Sequence, residues 1–302
     1  KVGCGCSRLR RQPRGLGDAE ISDHDAVVLV HEHIARLQIA HHDASVVQLR
    51  QRVGNYPGIT VEKKTGVMQL GHGEVELIDL PGTYSLAAAS PDERVVVDVL
   101  SGHVDGTESP EAIVCVVDAT NLKRNLFLAS QVAELGIPIV IALNLWDAAM
   151  KQGLKIDIEK LSERLSAPVI TTVGRTGQGL PELRAAIAAA LSEKPEMTRI
   201  EWPESAQQAE KELREAIPAE IRSQLKELEI RRLLFDADSP IIDRIGWNRD
   251  EAHKAIEAAR KPLWEAGVNP HAAEALFQYK HLGKILEGVV ASPDESLPRG
   301  SE

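Results

Sequence analysis

The sequence predicts an α/β fold, a mostly parallel sheet with helices on both faces, followed by a small all-α domain. Two observations carry the first half. Strand-sized apolar runs, "AIVCVV" (112–117) and "IPIVIAL" (137–143), are of the fully buried type. They alternate with amphipathic stretches of helical length, as crossover units do. A third observation carries the second half: after about residue 208 the periodicity is helical only, punctuated by Pro218, Pro240, Pro262 and Pro270.

Taken in order, the elements are these. Residues 1–50 form an atypical N-terminal segment holding five of the ten histidines (His24, His31, His33, His41, His42) and an arginine cluster. Within it "DAVVLV" (25–30) has strand character and "HEHIARLQIA" (31–40) weak helical character. "VMQL" (67–70) and "VELIDL" (75–80) flank "GHGE" and predict a hairpin. "SPDERVVVDVLS" (90–101) opens with a serine cap and early acids, a helix start. The strand "AIVCVVDA" (112–119), the helix "NLKRNLFLASQVAELG" (121–136) ending on glycine, and the strand "PIVIALN" (138–144) follow. "DIEKLSERLS" (157–166) predicts a helix, "PVITTV" (168–173) a strand and "LPELRAAIAAAL" (180–191) a helix. The α/β part therefore covers 51–192, a linker 193–207, the helical domain 208–292 and a tail 293–302.

Bulk properties exclude several classes. The 302 residues carry a net charge of −10, which argues against general affinity for nucleic acid or anionic lipid. At 3% aromatics, base-stacking platforms are not expected. Cys4, Cys6 and Cys115 make neither a disulfide framework nor a zinc site, and suit a reducing, cytoplasmic compartment. No apolar stretch approaches the ~18 residues of a membrane span. The arginines at 8, 10, 11 and 14 precede no apolar signal-peptide core.

Three short motifs bear on chemistry, each at the carboxyl end of a predicted strand. In "DLPG" (79–82), Asp79 can hold a magnesium ion, usually through water. Gly82, lacking a side chain, can bring its backbone N–H to a terminal phosphate. Alone, the pattern is also a common turn. In "NLWD" (144–147), Asp147 can accept hydrogen bonds from the ring N–H and exocyclic amine of guanine, at ~1.5–3 kcal/mol per charge-assisted bond. Asn144 can contact the other edge of the base and tie loops together. Adenine presents the wrong donors. In "TTVGRTGQG" (171–179), Val173 and Gly174 stand where guanine-nucleotide proteins usually place Ser-Ala, a partial match.

From about residue 50 to 290 the chain resembles the cytosolic part of the ferrous iron transport protein B (FeoB) family. "RVGNYPGITVEKKTG" (52–66), "IDLPGTYSL", "VVDATNLKRNLFL" and "ELGIPIVIALNLWD" carry the resemblance. It implies a P-loop-GTPase-like sheet followed by a helical domain, with GTP/GDP and Mg²⁺ as ligands. It also implies that Thr60 is the switch threonine that closes on Mg²⁺ beside Asp79. A membrane domain carrying Fe²⁺ would follow, placing the whole protein at the cytoplasmic face of the bacterial inner membrane. This chain reaches Glu302 before any span.

The family's opening motif, Gly-x-x-x-x-Gly-Lys-[Ser/Thr], is absent from all 302 residues. The Gly283–Lys284 pair is followed by Ile285, in the helical region. Counting back from Val53 by the family's spacing puts the lysine near Ala40, where "LQIAHHDA" (37–44) has neither glycine nor lysine. A reading-frame or gene-model error upstream of about residue 50 accounts for this better than a degenerate GTPase, because the resemblance begins where the odd composition ends. Thr83 occupies the position where some relatives carry a water-orienting glutamine. The expected function is thus a guanine-nucleotide switch module of a ferrous iron transporter, impaired as written. The alternatives are a binding-only pseudo-GTPase and a stand-alone cytosolic GTPase acting in ribosome assembly, the latter disfavoured by the lack of a basic face.

Overall fold

The computed structural model describes residues 26–31, 52–55, 62–70, 73–83, 85–86, 91–104, 110–236 and 238–291. Seven strands form one sheet: β1 (Ala26–His31), β2 (Arg52–Asn55), β3 (Glu62–Leu70), β4 (Gly73–Asp79), β5 (Ala112–Asp118), β6 (Ile139–Asn144) and β8 (Val169–Thr171). Their order is β2-β3-β4-β1-β5-β6-β8. The pairs β4–β1, β1–β5, β5–β6 and β6–β8 are parallel, while β2–β3 and β3–β4 are antiparallel. The expected hairpin is present and longer than the apolar residues alone suggest, running from Lys64↔Asp79 to Leu70↔Gly73. The strand from the atypical segment lies at the sheet's centre, with Leu29 beside Asp79 on one side and Val30 beside Cys115 on the other. The helical expectation for 31–40 lies, apart from His31 at the end of β1, outside the described residues.

β5 and β6 are apolar up to their last residue because both faces are covered. Alternate residues of β5 enter opposite cores. Ile113, Cys115 and Val117 pack with helices α1 (Pro91–Ser101), α2 (Leu122–Ala133) and α4 (Ile158–Leu165). Ala112, Val114 and Val116 pack with α5 (Leu180–Glu193). A residue period of two on a sheet buried from both sides produces this split. A short helix, α3 (Trp146–Lys151), follows β6, and the two-residue strand β7 (Lys155–Ile156) precedes α4.

The helical part comprises α6 (Glu204–Ala216), α7 (Ala219–Arg222), α8 (Glu227–Phe235), α9 (Ile241–Arg244), α10 (Arg249–Ala259), α11 (Lys261–Glu265) and α12 (Pro270–Leu286). It starts earlier than periodicity indicates: α6 begins at Glu204 behind Pro203, inside the stretch read as linker. Its own core is built on Leu213, Ile230, Leu233, Leu234, Ile242, Trp247, Ile256 and Leu263. Helix α12 serves two cores. Ala273 and Phe277 enter the helical core, whereas Leu282 and Ile285, about two turns on, enter the core beneath the sheet. Beyond α12 the chain pairs as β9 (Val290–Ala291) with β7, antiparallel. Arg164 donates to the carbonyls of Lys284, Ile285 and Glu287, closing the α12 terminus onto α4. No described helix is long and apolar enough to cross a membrane.

Candidate functional site

The parallel strands end together on polar residues. Asp79 closes β4, Asp118 closes β5 and Asn144 closes β6, with Asp118 and Asn144 paired in register. Loops leaving such an edge are where ligands bind in open α/β sheets. His31 closes β1 between Asp79's strand and Asp118's strand, so the segment after β1 departs from the middle of this edge.

Asn144 is buried, 3% exposed. Its Oδ1 accepts from the backbone N–H of Gly174 at 3.0 Å and from Thr172 Oγ1 at 3.4 Å. The main chain repeats the connection: Thr172 N–H donates to Leu143 O at 2.8 Å and Trp146 N–H to Thr172 O at 3.3 Å. The loops after β6 and β8 thereby form one unit. Leu145 adopts a left-handed conformation, φ 57°, which turns the chain sharply from strand into α3. Asp147, in the first turn of α3, has a side chain one-third exposed and lies 3.7 Å from both Lys151 Nζ and Arg175 Nη2. Asn144, Asp147, Val173 and Gly174 are thus brought together at one corner of the edge.

The β8–α5 loop folds back on itself. Val173 N–H donates to Gln178 O, and the N–H groups of Thr176 and Gly177 donate to Val173 O. Gly179 has φ +82°, and a Cβ there would sit 2.0 Å from Thr171 O, so only glycine fits. Sequence reasoning missed this residue, although "TGQG" is a turn signal. It also missed Asp118, whose Oδ1 accepts from Thr120 N–H at 2.8 Å and Thr120 Oγ1 at 2.7 Å, capping the turn into α2. The signal available was an aspartate two residues before a threonine at a strand end.

At the other side of the edge, Gly82 and Thr83 are buried behind Asp79. The Thr83 hydroxyl donates to Ser85 O at 2.6 Å and lies 3.3 Å from Glu93 Oε1. It is therefore turned into its own loop and α1. Leu86 N–H donates to Gln131 Oε1 of α2 at 2.9 Å. Gln131 in turn donates to Glu274 of α12, which accepts from Arg232 of α8. The loop after Gly82 is so connected, bond by bond, to the helical part. Thr60 lies outside the described residues.

Comparison with known proteins bears on this geometry. Residues 44–187, the stretch that carries the hairpin, the Asp79 loop and the Asn144 corner, match the family model for ferrous iron transport protein B. This stretch belongs to the FeoB family. The Fe(2+) transporter FeoB of Escherichia coli K12 is 47% identical over 143 residues, 46% of this chain and 18% of that protein. A Porphyromonas gingivalis fusion of Fe(2+) transport protein A with FeoB is 49% identical over 133 residues, 44% of this chain and 15% of that protein. The match thus spans less than a fifth of the FeoB relatives' length. The cytosolic domain of L. pneumophila FeoB superposes with a TM-score of 0.70 at 28% identity, covering 88% of this chain and all of that one. A GDP-bound S. thermophilus NFeoB mutant gives 0.69 at 27%, with coverage of 88% and 100%. The structural likeness therefore extends through the helical part, beyond the family-model match, and the α/β-plus-helical FeoB fold predicted from sequence is present.

Proposed function

We propose that this chain is the guanine-nucleotide switch module of a ferrous iron transporter, and that it binds nucleotide weakly as written. The observation that carries the proposal is the bond between Asn144 and Gly174, which holds the two loops of the corner together with Asp147 at its mouth. A guanine ring N–H and exocyclic amine would be received by the Asp147 carboxylate, displacing Lys151 and Arg175. Those contacts are long and exposed, so their loss costs little. The GDP bound by S. thermophilus NFeoB mutants is the precedent.

The phosphates would lie over the centre of the edge. There Gly82 offers a backbone N–H. Asp79 supplies one carboxylate for Mg²⁺, an ion that binds through one or two carboxylates and the ligand's own phosphates. Thr60 completes the magnesium shell in this proposal. No Gly-x-x-x-x-Gly-Lys-[Ser/Thr] follows β1. Loss of the lysine alone removes ~1.5–3 kcal/mol, roughly 10- to 150-fold in affinity. That absence also favours a second reading, a binding-only pseudo-GTPase.

In a full-length protein the module would convert nucleotide state into movement of the Gly82–Leu86 loop and the helical part, and so of a membrane domain at the cytoplasmic face. Titration with a fluorescent GDP analogue in magnesium buffer, with GDP and ADP as competitors, tests the proposal. Weak binding that GDP displaces and ADP does not is expected. Equal displacement by both would refute a guanine site. Submicromolar affinity would show that the residues after β1 supply a phosphate cradle of another sequence.

A further inference from the structure

A cavity of about 150 Å³ lies between α1 and the helical part. Its wall includes Leu86, Arg94 and Asp98 on one side and Arg232, Ser239 and Arg244 on the other. Three guanidinium groups from three different helices meet around one space. Each of the two on the helical side is already oriented by a carboxylate. Arg232 Nη1 donates to both oxygens of Glu274, at 2.9 and 3.1 Å, and Arg244 Nη2 donates to Glu229 Oε1 at 2.6 Å. Arg244 Nη1 also lies 2.6 Å from His103 Nδ1. These contacts hold the forks in place without using all of their donors.

We propose that this interdomain cavity binds a small oxyanion of the phosphate class, gripped between Arg94 of α1 and Arg232 and Arg244 of the helical part. Preoriented guanidinium forks match tetrahedral oxyanions in geometry as well as charge. The volume admits a phosphate or pyrophosphate group. Asp98 is the acid in the wall and opposes anion entry. Burial pushes its carboxyl up from the usual range, with Glu229 adding to the rise and Arg244, His103 and Arg94 lowering it, so it surrenders its charge more readily than an exposed aspartate. An anion there would fasten α1, which follows the Gly82–Leu86 loop, to the helical part. The site is independent of guanine recognition at the Asn144 corner.

The test is isothermal titration calorimetry of the full chain with sodium sulfate and with pyrophosphate, at constant ionic strength held with chloride. Saturable one-to-one binding is expected. Arg94→Gln should weaken it about tenfold or more, the loss of one charge-assisted contact. Asp98→Asn should tighten it, because a like charge leaves the wall. A cooperative melt checks that each variant folds, and Asp98→Asn decides alone if Arg94→Gln does not. Absence of saturable heat overturns the proposal. So does binding that Arg94→Gln and Asp98→Asn leave unchanged, since the anion would then sit elsewhere, for instance at the strand edge. GDP titrated into the same variants reads the guanine site separately, so either site can fail while the other stands.

Discussion

Asn144 Oδ1 accepts a hydrogen bond from the backbone N–H of Gly174 at 3.0 Å, across 30 residues of sequence. A buried amide at the end of one strand thereby sets the position of the loop that leaves the next. Asn144→Ala leaves the Gly174 N–H and the Thr172 hydroxyl without that acceptor. The expected cost is ~1–3 kcal/mol, measured as a lower urea midpoint at unchanged slope. A midpoint within error of the parent would show that the bond contributes no stability.

Gly179→Ala should be far more harmful than Gly246→Ala. Both glycines have positive φ, +82° and +65°. Around Gly246 a Cβ meets nothing within 4 Å, so only the left-handed backbone penalty applies, ~1–2 kcal/mol. At Gly179 the Cβ would collide with Thr171 O, and the loop carrying Val173 and Gly174 must move. Denaturation curves of the two variants side by side give the comparison, and equal losses would contradict it.

The α/β part and the helical part are joined by a part-buried ion pair. Arg231 donates to Glu134, and Glu134 also accepts from Ile200 N–H and Trp202 Nε1, both at 3.3 Å. The Arg231 guanidinium stacks 4.9 Å from the Trp202 ring centroid and donates to Glu210 at 2.7 Å. Arg231→Met leaves Glu134 without its guanidinium partner while Glu210 keeps Arg214, and a loss of ~1–3 kcal/mol is expected. The double variant with Glu134→Gln should recover part of it, as a double-mutant cycle would show.

Much of this architecture was legible because two-sided burial writes itself as continuous apolar runs, as in β5 and β6. The β7–β9 pairing was not legible: two residues, Lys155–Ile156, meet two others more than a hundred positions away, and neither stretch has a strand-length pattern. Nor was the double duty of α12. Periodicity shows that Phe277, Leu282 and Ile285 are apolar, but not that they belong to different cores. Within the site, the residue types of Asn144 and Asp147 and their strand-end placement were readable. The demand for glycine at position 179 was not, because it arises from the approach of Thr171 O in three dimensions.

Cys115 should resist alkylation in the native protein. It is wholly buried in β5, and burial pushes its thiol up to about 12 from a reference of 9.0. The thiolate, which is the reactive form, is thus suppressed at pH 8. The sign of the linkage follows: the unfolded thiol ionises first, so this group's contribution is fully present below pH 9 and is lost as pH rises towards 12. Mass spectrometry after iodoacetamide should show Cys115 modified only under unfolding conditions. Rapid native labelling would contradict its burial.

The central claim is that the Asn144–Asp147 corner reads guanine, and base selectivity in Asp147→Asn tests it most directly. Affinities of GDP and xanthosine diphosphate are measured for the parent chain and the variant under the same magnesium conditions. Aspartate accepts from the guanine ring N–H and exocyclic amine, whereas asparagine can donate to the carbonyl that xanthine carries instead. The account predicts that the parent prefers GDP and that the variant inverts the preference, by roughly 10- to 150-fold for a charge-assisted bond. An unchanged preference for GDP in Asp147→Asn would contradict it.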